Sequence, residues 1–148
     1  MHKTKIYFIS LIFILFHHEN LLAKNNYFEE AEKLFYEKKY EKSKFKFEKD
    51  IVFNPKNERS YLFLAKIFKE KENEEGEELN LNSVLVLNPK NEEAIYMLTL
   101  LKIKQFNYNE AKDLIEKFDL VCSSLCSKKS EINKKFNKLK PEDEKNNN

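Results

Sequence analysis

Histidine, cysteine and closely paired acids are where reactive chemistry would be sought in these 148 residues. The chain has three His and two Cys. His2, His17 and His18 all fall within the first 23 residues, a segment that reads as removable. Once it is gone, Ser-His and Cys-His nucleophile systems cannot be built, nor can the common zinc sites. A single Gly excludes the dinucleotide fingerprint, the phosphate-binding P-loop, the EF-hand and the nucleophile elbow. Acids are plentiful, but they lie in solvated runs such as Lys69 to Glu78. The sequence therefore assigns no catalytic residue, no cofactor-binding residue and no metal ligand. No enzyme is expected.

Cys122 and Cys126 stand four residues apart. On a regular helix their Cβ atoms would be ~5–6 Å apart, beyond the ~3.8 Å a disulfide prefers. The spacing favours core thiols. A disulfide, which an oxidising compartment would permit, needs the helix to fray near Ser123-Ser124. An intermolecular bridge and a metal site are the other readings.

Residues 1–23 differ from the rest. Lys3 and Lys5 precede an apolar run from Ile6 to Phe16; a polar stretch and Leu21-Leu22-Ala23 follow. This is the three-part pattern of a secretory signal, with cleavage expected after Ala23. The run is short for a membrane span, which needs about 20 residues. Cysteine is absent just after the run, which argues against lipidation. The short signal, and an excess of Lys, Asn, Ile and Phe with one Arg, suggest a bacterium with an AT-rich genome. The expected compartment is the periplasm. The alternative keeps residues 6–16 as an inner-membrane anchor. The chain would then be a membrane-anchored accessory subunit of an envelope assembly complex.

Helices must position whatever the mature chain does. Gly and Pro are scarce while Lys, Glu, Leu and Phe abound. An internal repeat organises these helices. Asn54-Pro55-Lys56-Asn57-Glu58 recurs word for word 34 residues later as Asn88-Pro89-Lys90-Asn91-Glu92. Other positions recur at that offset: Tyr27, Tyr61 and Ile95; Ala31, Ala65 and Thr99; Phe47, Leu81 and Ile115. Tyr40 and Tyr108 lie twice the period apart.

With this period and these large, small and aromatic positions, the chain resembles the tetratricopeptide repeat (TPR) family. Three units align at 24–57, 58–91 and 92–125. The departures are Glu30 for Leu, Glu77 for a small residue, Lys102 for an aromatic, and Ser123 where Pro would fall. The expected fold is all-α: an α-solenoid of three helix pairs plus a C-terminal capping helix at about 127–140. Tyr61, Leu64, Ala65 and Phe68 mark one helix face in the middle unit. The charged run Lys69 to Glu78, which holds Gly76, marks its turn. Ser130 is the expected cap of the last helix, whose apolar stripe is Ile132, Phe136 and Leu139. The tail 141–148 reads as disordered.

The resemblance implies that the first helix of each unit lines a concave groove where partners lie. By repeat position these residues are Phe28, Glu32, Phe35 and Tyr36; Arg59, Leu62, Phe63, Lys66 and Lys69; and Tyr96, Met97, Leu100, Ile103 and Lys104. The set is apolar and aromatic with a basic fringe, which suits a peptide or helix of another envelope protein. The competing assignment is that several of these residues are core. One branch of the family grips C-terminal carboxylates with Lys and Asn on these helices. Phe28 and Glu32 cannot supply that clamp. Lys38 to Lys49 alternates Lys with aromatics, but acids intervene and Phe47 is a core position, so no nucleic-acid partner is expected. Any membrane contact would be peripheral. The expected role is a non-catalytic interaction adaptor or scaffold in the cell envelope.

Overall fold

The computed structural model describes residues 26–139. The targeting segment at 1–23 and the tail at 141–148 lie outside the described residues. Seven α-helices are present among those described: α1 Tyr27–Tyr36, α2 Tyr40–Phe53, α3 Glu58–Glu70, α4 Glu74–Leu87, α5 Glu92–Lys104, α6 Tyr108–Val121 and α7 Lys129–Leu139. A short 3-10 turn, Cys126–Lys128, leads into α7. The fold class is all-α, of the helical-solenoid kind. The chain divides into two compact units, one ending at Pro55 and one starting at Lys56.

The 34-residue period is written in the backbone as well as in the side chains. The first helix of each pair ends on a residue with positive φ: Lys38 at 58°, Glu72 at 55° and Phe106 at 57°. The next N–H, of Lys39, Asn73 or Asn107, donates back to the carbonyl of Leu34, Phe68 or Lys102 at 2.9 Å in every case. This is the left-handed C-cap, which satisfies the orphan carbonyls of a helix end. None of the three positions holds the Gly such a cap favours. Phe106 is 81% exposed, so its ring contributes little packing. Phe106→Gly should raise stability by about 0.5–1 kcal/mol, because a side chain in this region is strained. Urea titration of the two proteins measures it.

In the first unit, α1 and α2 close on each other through rings and one buried hydrogen bond. Phe28 meets Phe47 edge-on at 5.6 Å, and Tyr27 stacks on Phe53 at 5.6 Å. The Ser43 hydroxyl donates to the Ala31 carbonyl at 2.8 Å, and both residues are fully buried. A small residue at position 31 lets the helices approach, and the hydroxyl satisfies its own burial. Glu30, the departure from Leu, pairs with Lys46 across the two helices.

In the second unit the core runs through α3, α4 and α5. Ala65, Leu81 and Val84 are fully buried with Ala94, Leu98 and Leu101 around them. A second cluster of Ile95, Phe118 and Ile132 ties α5, α6 and α7 together. Phe136 is buried and stacks on Tyr108 at 4.9 Å. The last helix therefore covers an apolar side that would otherwise face water. Ser130 is not its cap. The 3-10 turn starts the helix earlier and leaves Ser130 inside the first turn.

The turn of the middle pair lies within the charged run Lys69 to Glu78, as expected. It occupies residues 71–73, and Gly76 lies in the first turn of α4. Asn73 caps that helix by accepting from the Gly76 N–H at 2.8 Å. Gly is needed there for space, not for a turn. A Cβ on Gly76 would sit 2.5–2.9 Å from the Phe68 ring. Gly76→Ala should therefore destabilise by about 1 kcal/mol, although alanine is the better helix former by a similar amount. Thermal melts of Gly76→Ala, and of the same change with Phe68→Leu, test this. The second substitution should restore the loss.

Candidate functional site

The faces of the first helices can be followed residue by residue. In the first unit Phe28 is buried against Phe47, whereas Tyr36 is 70% exposed. Phe35 is half-buried, with its ring 5.6 Å from those of Tyr36 and Tyr40. Glu32 is half-buried too.

In the second unit Leu62 and Met97 belong to the core cluster around Leu81. Phe63 is also buried, with the Lys66 ammonium 5.0 Å from its ring centre. Phe28, Leu62, Phe63 and Met97 are thus packing residues, a correction to their assignment as groove lining. Repeat position marks the face of a helix, but the next helix decides how much of that face remains open. Arg59, Lys69 and Lys104 are exposed, while Lys66, Tyr96, Leu100 and Ile103 are half-exposed.

These residues are held by polar contacts between α3, α5 and α7. Lys66 pairs with Glu93 at 2.8 Å. The Tyr96 hydroxyl donates to Glu131 at 3.0 Å, and Lys128 lies 5.7 Å over the Tyr96 ring. Burial, then the neighbouring Glu131, pushes the Tyr96 phenol above its ordinary pKa. Two depressions flank this strip. One, of about 380 Å³, is walled by Leu100, Leu101 and Ile103 and rimmed by Lys69, Lys104 and Lys135. The other, of about 470 Å³, lies over Leu62 beside Asn91, Glu92, Glu93 and Ser124.

The second depression adjoins a loop whose backbone grips a carboxylate. Helix α6 stops at Val121, and Cys122 takes an extended conformation. Cys122 and Cys126 are joined as a disulfide, with Cα atoms 5.2 Å apart. The expectation of core thiols is overturned here, because the helix ends before the pair and no longer sets their spacing. Inside this loop the N–H groups of Ser123, Ser124 and Leu125 donate to Glu92 at 2.8, 3.1 and 3.1 Å. The Ser124 hydroxyl donates to it as well. That hydroxyl, followed by the Ser123 and Leu125 amides, lowers the Glu92 pKa to about 2. Glu58, one repeat earlier, accepts from the Asn88 and Asn91 side-chain amides at 3.1 and 3.5 Å. Each Glu thus fastens the loop that closes its own unit.

A lowered carboxylate pKa contributes stability above the unfolded value and loses it as pH falls toward the folded value. The Glu92 contribution is complete above about pH 4.5 and disappears between there and about pH 2. Glu92→Gln should flatten the acid side of the stability profile over that window. Urea midpoints from pH 2 to 7 check it.

Two further sequence departures prove to be polar sites inside the helix stack. Lys102 is only 6% exposed, with its ammonium 2.6 Å from Glu78 and 2.8 Å from Glu110. Burial works against its charge, but the hydrogen bonds and charges of Glu110 and Glu78 outweigh it and hold the pKa above the ordinary lysine value. Glu77 also lines the first depression and is 6% exposed. The repeat sets it apart, since the equivalent positions are Ser43 and Ala111. That contrast is visible in the sequence but gives Glu77 no role. Lys135 had no such signal, because only the fold of α7 brings it to the depression. No group of three or more His, Cys, Asp or Glu among the described residues is placed to hold a metal ion.

No family model matches this chain, and no curated protein sequence matches it. Among solved structures it is similar to one described as the CopN–Scc3 complex, with a TM-score of 0.65 and 19% identity. The match covers 75% of this chain and 67% of that one. At that identity the likeness establishes the helical fold.

Proposed function

We propose that the chain is a non-catalytic adaptor or scaffold that binds a peptide or helix of another protein along the first helices of its second and third pairs. The observation that carries this is the open strip on α3, α5 and α7. Tyr96, Leu100 and Ile103 remain half-exposed there between two depressions, with lysines at the margin. Apolar and aromatic surface edged by charge is the composition of an interface core and rim. The similar solved structure is that of a complex, which agrees with a binding role. Export to the envelope is part of the same proposal and rests on the pattern of residues 1–23. N-terminal sequencing of the mature protein tests it, and an intact Met1 would count against cleavage.

A photo-crosslinking amino acid at Leu100 or Ile103 in the native cell tests the binding strip. It should capture one discrete partner. The same residue at Val86, which is 81% exposed on α4, should not. Capture from Val86 alone would place the interface on the opposite helices and defeat the proposal.

A further inference from the structure

We infer that the Cys122–Cys126 disulfide is a dithiol-sensitive latch. It stands in for a missing proline at the end of α6, and opening it lets α6 run on and frees α7 from the α5–α6 face.

The three corners carry the argument. The second helices of the pairs end at Phe53, Leu87 and Val121, one period apart. After the first two come Asn54-Pro55 and Asn88-Pro89. A proline lacks the N–H and keeps the residue before it out of the helical region, so it ends a helix by local chemistry. After the third comes Cys122-Ser123, and neither Gly nor Pro follows before Pro141. Yet Cys122 has φ −60° and ψ 137°, the backbone that a following proline would favour. Two tertiary contacts stand where the proline would be. One is the Glu92 carboxylate, which accepts from the N–H groups of Ser123, Ser124 and Leu125. The other is the disulfide. A regular helix keeps Cβ atoms at this spacing ~5–6 Å apart, so the bond and an unbroken helix through 122–126 are incompatible. With the bond open, the Glu92 contact alone opposes about two turns of new helix over 122–128.

A reductant can reach the bond. Both cysteines are half-exposed, and Ser123, Ser124 and Ser127 around them are exposed. One thiolate of a dithiol attacks one sulfur and expels the other as a thiolate. The second dithiol sulfur then closes its own disulfide and releases the first cysteine. Two electrons and two protons pass to Cys122 and Cys126, and the dithiol leaves as a disulfide. What the latch governs is α7, docked by Ile132 and Phe136 and joined to Tyr96 through Glu131. Its departure bares Ile95, Phe118 and the ring of Tyr108.

Hydrogen exchange of the full oxidised chain, with and without dithiothreitol, tests the latch. Reduction should speed exchange of the α7 amides about thirtyfold, the lower end of a disulfide's usual contribution, while α3 and α4 keep their protection. Reoxidation should restore α7. Cys122→Ser/Cys126→Ser should exchange like the reduced chain whether or not dithiothreitol is present. Ser123→Pro puts back the local stop, and its α7 should keep most of its protection on reduction. Ser127→Gly disfavours the longer helix without touching Glu92, and should blunt the response about twofold.

Unchanged α7 exchange on reduction overturns the latch. So does an equal loss of protection from α3 to α7, which would make the bond a general staple. A response undiminished in Ser127→Gly, or in a folded Ser123→Pro, overturns the run-on of α6. The readout is exchange in the isolated chain, so the latch stands or falls apart from the adaptor reading.

Discussion

Phe118→Ala should lower stability by about 3–5 kcal/mol, the cost of truncating a buried aromatic without collapse of the cavity. Phe118 is 1% exposed and lies in one cluster with Ile95 of α5 and Ile132 of α7. Its ring is 6.2 Å from that of Tyr96. Removing it loosens three helices at once. For a domain of this size the melting temperature should fall by about 12 °C or more, measured by circular dichroism. Hydrogen exchange should show α7 losing protection first, because Ile132 and Phe136 are the two buried residues that dock it. Leu120 sits two residues away and is 87% exposed, so Leu120→Ala should stay within about 0.5 kcal/mol of the parent.

The second large effect concerns the ion group at Lys102. The Glu78→Gln/Glu110→Gln double variant should lose roughly 3 kcal/mol, because a buried ammonium would be left without a compensating charge. Lys102→Met should change stability far less. It removes the charge that needs compensation and keeps a flexible apolar stem in the space, and the two acids it frees are partly exposed. Urea titrations at pH 7 measure both. Equal losses in the two variants would show that Lys102 matters only through its packing volume.

The helix pairs were legible because a repeat tests each position more than once. Ala31, Ala65 and Thr99 share one phase of the period, and all three are fully buried. The two Asn-Pro-Lys-Asn corners likewise take the same turn. The Cys122–Cys126 disulfide was not legible as the favoured state. Its spacing excludes a bond only on a continuous helix, and α6 ends at Val121, where Glu92, 29 residues upstream, gathers the following amides. The site residues were partly legible. Phase put Leu100 and Met97 on one helix face alike, yet Met97 is sealed beneath its neighbours while Leu100 stays open.

By itself the sequence determined the class of helix, the number of pairs and their period, because apolar spacing and turn residues act through local backbone geometry. Which apolar side chains stay on the surface, how far Glu77 is buried and where the cysteines meet were decided only by tertiary structure. Those outcomes depend on burial and charge contributed by helices distant in the chain, and no local spacing encodes them.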